Sequence, residues 1–171
     1  MTLRNRVSFA DAVGIAALLA ALGGLLAYQL LRTGDDARES ALQSSLDGIR
    51  DALEGYAADH GWYPCSPHDF NREGDPETLV RQLTGFTDRT GRPSAQQSGD
   101  FCFGPYLRAF PAEPITGTRR VAIDLESERT TRSISQRIAT SDARGGWFYE
   151  ARSGTVLPNL GRTFPEYLTA L

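Results

Sequence analysis

The sequence predicts an α+β fold, a long N-terminal helix packed on a small antiparallel β-sheet. Three observations carry this reading. The run from Ala12 to Tyr28 contains no charged residue. Leu42, Leu46, Ile49, Leu53 and Tyr56 then recur at steps of four, three, four and three, which keeps them on one helical face. Far downstream, Val121, Ile123 and Leu125 alternate with Ala122, Asp124 and Glu126, the period of a half-buried strand.

The helix is expected to have two halves. Residues 8–31 form an apolar half, with Leu30 and Leu31 extending the run past Gln29. That is long enough for a bilayer core, which takes about 20 residues. A small-residue cleavage site, the mark of a secretory signal, does not close the run; it ends in Tyr28-Gln29-Leu30-Leu31-Arg32. We therefore expect a retained membrane half. Residues 1–7, with Arg4 and Arg6, are expected on the cytoplasmic side and the rest outside, by the positive-inside rule. Residues 32–61 form the amphipathic half, with Arg38, Glu39, Asp47, Arg50, Asp51 and Glu54 on its solvated face. Gly61 and Pro64 close it.

Residues 62–171 are expected to form the head domain. Asp75-Pro76-Glu77 reads as a helix start, Asp at the N-cap and Pro at the first helical position, with Leu79, Val80 and Leu83 on its apolar side. Thr90 to Asp100 is polar and reads as loop. Ser127 to Arg144 reads as an exposed excursion. Trp147 to Ala151 and Thr155 to Leu157, joined by Arg152-Ser153-Gly154, read as a hairpin. Phe164, Tyr167 and Leu168 are expected to cover the sheet.

Composition excludes several functions. Net charge is -3 and the pI about 5.4, so nothing suggests a nucleic-acid surface. There is no phosphate loop, no G-x-S-x-G and no H-E-x-x-H. Cys65 and His68 are spaced C-x-x-H, but no second ligand pair repeats, so no metal is expected. The two cysteines, Cys65 and Cys102, are flanked by aromatics and lie beyond the apolar run, so a disulfide between them is expected.

Three segments resemble the major pseudopilins of type II secretion and the wider type IV pilin-like proteins. One is Tyr56-Ala57-Ala58-Asp59-His60-Gly61-Trp62-Tyr63-Pro64 at the end of the long helix. The second runs from Gly104 to Pro114 and the third from Gly146 to Asn159. The resemblance implies a pilin-like fold and a structural, non-enzymatic role. Two departures stand out. No glycine precedes Phe9, and no glutamate occurs before the apolar run; if Asp11 stands in for the family's glutamate, the mature chain would begin at Val7. The acidic residues Asp124, Glu126, Glu128 and Asp142 are scattered and do not form the family's calcium loop.

The functional expectation is a membrane-anchored pseudopilin-like subunit of a type II secretion or type IV pilus-like apparatus. It would sit in the bacterial inner membrane with its head in the periplasm. It has no catalytic residue, no cofactor and no small-molecule substrate. Its partners are the membrane, copies of itself and other pilin-like subunits. Asp11, Ala17, Ala20, Ala21 and Gly24 are the expected assembly residues, because small residues at x-x-x spacing let helices approach closely in lipid. The alternative is a membrane-tethered periplasmic binding or sensor domain that never polymerises. A tethered thiol enzyme using Cys65 is the third reading.

Overall fold

The structure, a computed structural model, describes residues 9–125 and 145–160. Its elements in order are α1 (Phe9–His60), α2 (Pro76–Thr84), β1 (Phe86–Thr87), β2 (Pro93–Ser94), β3 (Val121–Asp124), β4 (Trp147–Glu150) and β5 (Thr155–Pro158). The chain divides into two compact units, Met1–Glu39 and Ser40–Leu171.

In the second unit the periodic face of α1 is covered completely. Leu42, Leu46 and Tyr56 are fully buried, and Ile49, Ala52 and Leu53 nearly so. They pack in one cluster with Leu79 and Leu83 of α2, Phe110, Val121, Trp147, Tyr149 and Val156. Burial of a large aliphatic or aromatic side chain contributes about 1.5–3 kcal/mol, so this face is a major source of the unit's stability. The helix stops where the backbone of Gly61 turns left-handed (φ +83°), its N–H donating to the Ala57 carbonyl at 2.8 Å.

α2 begins as its composition dictates. The Asp75 carboxylate caps it by accepting from the Thr78 N–H at 2.8 Å, and Pro76 occupies the first turn. The pair of tyrosine and leucine N–H groups at 106 and 107 both donate to the Leu83 carbonyl, which pins the following irregular stretch against the end of α2.

The expected architecture is overturned on two counts. The strands do not make one antiparallel sheet. β1 and β2 form a separate two-stranded antiparallel ladder, and the three-stranded sheet has the order β3-β4-β5 with β3 parallel to β4. Within the three-stranded sheet only β4 and β5 are antiparallel, as a hairpin in register from Trp147 and Pro158 to Glu150 and Thr155. The physical reason is the connection: parallel strands need a crossover of a dozen residues or more, and the chain from 125 to 146 supplies it. The second count is the membrane half. Among the described residues no helix is long and apolar enough to cross a membrane. The excursion at 127–144 and the aromatic tail at Phe164, Tyr167 and Leu168 lie outside the described residues.

Candidate functional site

Two regions stand out: a buried polar network in the Ser40–Leu171 unit and an uncovered stretch of α1 in the other.

The network starts from Tyr56 on α1. Its hydroxyl donates to the carboxylate of Asp69, in the loop that follows the helix. The other oxygen of Asp69 accepts from the Asn71 backbone N–H at 2.7 Å and from Gln82 Nε2 at 2.8 Å. Gln82 also donates to the Gly91 carbonyl at 2.7 Å. Asn71 donates to the Asp75 carbonyl and to Cys65 Sγ, and its own carbonyl accepts from the Asp75 N–H at 2.9 Å. Tyr56 and Gln82 are fully buried, and Asp69 and Asn71 nearly so. A buried carboxylate is costly unless its lone pairs are filled. Here three donors from three elements fill them, so the cost is offset only when α1, the 62–75 loop and α2 are all in place. Gly91 belongs to the same arrangement: φ is +84°, and a Cβ there would collide with the Tyr56 hydroxyl and the Asp69 carboxylate.

His60 closes the network toward the first ladder. Its ring stacks on Tyr56 with centroids 4.1 Å apart, meets the edge of Phe103 and bonds through Nε2 to the Thr87 hydroxyl at 3.0 Å. Burial lowers its basicity below the ordinary imidazole value, against the pull of Asp69 and Asp59. Burial, followed by the Asp69 charge, raises the Tyr56 phenol far above its ordinary range. A second buried carboxylate, Glu113, accepts from the backbone N–H groups of Ile115 and Thr116, each at 2.7 Å, and so closes its own turn.

The expected disulfide is not formed: Cys65 and Cys102 are both free thiols. Cys65 is buried and takes a hydrogen bond from Asn71 Nδ2 at 3.2 Å, whereas Cys102 is exposed. The flanking aromatics enclose one cysteine and leave the other in solvent. Cys65 is also poorly placed for chemistry. Burial, then the Asp69 and Asp75 charges, push its thiol well above the usual value, away from the thiolate a nucleophile needs. His68, the other half of the C-x-x-H spacing, packs against the Trp62 ring instead. Among the described residues no group of three or more His, Cys, Asp or Glu side chains is arranged to hold a metal ion.

No family model, curated protein or solved structure matches the chain. The resemblance to pseudopilins therefore rests on its three segments, which fall at the end of α1, on the irregular stretch after β2 and on the β4–β5 hairpin.

Of the expected assembly residues, Ala20, Ala21 and Gly24 lie exposed on α1, and a Cβ added at Gly23 or Gly24 would meet nothing within 4 Å. Leu19, just before them, and Leu22, among them, are 65% and 49% exposed. The side chains of Asp11 and Ala17 lie outside the described part of the helix.

Sequence reasoning missed Asp69, Asn71 and Gln82. Gln82 carried a usable signal. It falls on the same stripe of α2 as Leu79 and Leu83, and a polar residue on an apolar stripe needs a buried partner. Asp69 and Asn71, two apart, have the spacing of an Asx turn.

Proposed function

We propose that this chain is a non-catalytic structural subunit of a pseudopilin-like secretion or pilus-like assembly, located at the bacterial inner membrane with its head on the periplasmic side, and that it associates through its N-terminal helical segment. The observation that carries the reading is the uncovered stretch Leu19–Gly24. Two large apolar side chains and four small residues stand exposed on one helix. Small residues keep backbones accessible to a neighbouring helix, and the exposed leucines supply the apolar area that contact would remove from water or lipid. The polar network supports the same reading from the other side, because each of its groups serves to hold the head together. Cys65, the one nucleophile within it, is buried with a raised thiol pKa.

The test is disulfide crosslinking between copies. In a Cys102→Ser background, cysteine placed at Ala20, Ala21 or Gly24 should give dimers in membranes under mild oxidation. The same substitution at the solvated Ser44 should not. No crosslink at any of the three positions would leave a solitary domain and favour the binding-module alternative.

A further inference from the structure

The head carries a groove that the self-association reading does not use. It has a volume of about 610 Å³ and lies between α2 and the entry to β3. Its apolar wall is made by Pro76, Val80 and Val121. Three arginines line it as well: Arg81 from α2, and Arg119 and Arg120 from the chain entering β3. All three are exposed. Arg119 uses its Nε on the Phe110 carbonyl at 3.2 Å, and Arg81 uses one terminal nitrogen on the Thr78 hydroxyl at 3.0 Å. Each keeps further donors, since a guanidinium has five N–H groups. The Arg120 guanidinium makes no hydrogen bond or ion pair among the described residues, its backbone carbonyl accepting from the Trp147 N–H. One acid, Glu77, lines the groove with them, and the Asp75 carboxylate interacts with Arg81. In a chain of net charge -3, such a grouping of arginines runs against the overall composition.

We propose that this groove binds an acidic, partly apolar peptide segment of a partner protein. Carboxylates would pair with the three guanidiniums, whose planar forks match a carboxylate bidentately. Aliphatic side chains of the same segment would lie on Pro76, Val80 and Val121. The form of the site favours a peptide over a compact anion such as phosphate. The start of α2, where an anion would gain most, is already occupied by the Asp75 carboxylate bonded to Thr78. A free phosphate also has nothing to place on an apolar wall. Arg81 also lines a second groove of about 370 Å³ with Phe86 and Pro93. Nucleic acid is disfavoured by the acidic chain as a whole.

The experiment uses the full chain and fluorescence anisotropy of a short labelled peptide alternating glutamate with valine. Versions with glutamine or lysine in place of glutamate are the controls. The acidic peptide should bind, more weakly as salt is raised, and the controls should not. Arg120→Glu or Arg81→Glu should weaken binding about tenfold, and Arg120→Gln by a smaller factor. Arg108→Glu, an exposed arginine outside the groove, should leave it unchanged. Thermal unfolding of each variant checks that the head is intact, and if a charge reversal unfolds it, Arg120→Gln with the salt titration reads the same quantity. Absence of binding, equal binding of the glutamine peptide, or insensitivity to both arginine substitutions would each overturn the proposal. So would displacement by inorganic phosphate at an ionic strength where sodium chloride does not displace, because that marks a simple anion site.

Discussion

Two stretches of the same helix meet opposite fates. From Leu42 to Tyr56 every residue of the periodic face is buried, and the last of them donates into a buried polar network. From Leu19 to Gly24 the leucines and small residues stand exposed. Both stretches are apolar, and the difference lies in what their order allows. Apolar residues spaced four and three apart give one greasy stripe that a single head can cover. Apolar residues all round a helix cannot be covered from one side, so they need lipid or other helices. The first stretch is finished within its own chain and the second is not.

The comparison is broken most severely at Asp69. Replacing it by alanine removes the acceptor of the Tyr56 hydroxyl and of the Asn71 N–H in a dry interior, while Gln82 Nε2 keeps the Gly91 carbonyl. Each orphaned donor costs about 1–3 kcal/mol, so Asp69→Ala should lose of order 4 kcal/mol or more in a denaturant titration. A loss under about 1 kcal/mol would show that Asp69 does not hold these donors as described.

The next effect sharpens the contrast directly. Leu46→Ala should cost about 3 kcal/mol, the usual penalty for a cavity in a packed core. Leu22→Ala should leave the unfolding midpoint of the head unchanged and reduce association instead. Equal destabilisation by both would mean that Leu22 has cover within its own chain.

A smaller effect belongs to pH. The folded state holds His60 neutral by burial, so its folded pKa lies below the unfolded value of about 6.5. The unfolded chain then takes up the proton first as pH falls. Stability from this group is present above about pH 6.5 and is lost as pH drops through that value toward the folded pKa. Denaturant midpoints should fall between about pH 7.5 and 5.5, and His60→Gln should flatten that slope. A slope unchanged in the variant would assign the titration elsewhere.

Much of the local structure was legible. The α1 stripe, the Asp75-Pro76 start of α2, the Gly61 stop and the β4–β5 hairpin all follow from short-range rules, and each is found where those rules put it. What failed was non-local. The parallel pairing of β3 with β4 depends on the path between them, which alternation within a strand does not encode. β1 and β2 are two residues each, too short for any periodic signal, and are held by the turn around Asp88 and by a bridge from Thr87 to Phe103. The cysteines looked like a pair by count and flanking sequence, but burial separates them. Two glycines of α1, Gly48 and Gly55, differ in their surroundings. A side chain at Gly48 would meet nothing within 4 Å, while one at Gly55 would press on the Tyr106 ring, outside any strand.

The difference between the two stretches is read most directly by hydrogen exchange on the full chain at rising protein concentration. In the dispersed chain, amides from Leu46 to Tyr56 should exchange only through global unfolding, and those from Leu19 to Gly24 should exchange fast. As copies associate, the second set should become protected while the first does not change. Strong protection of Leu19–Gly24 in the dilute monomer, or none at any concentration, would contradict the claim that this segment is completed by its neighbours.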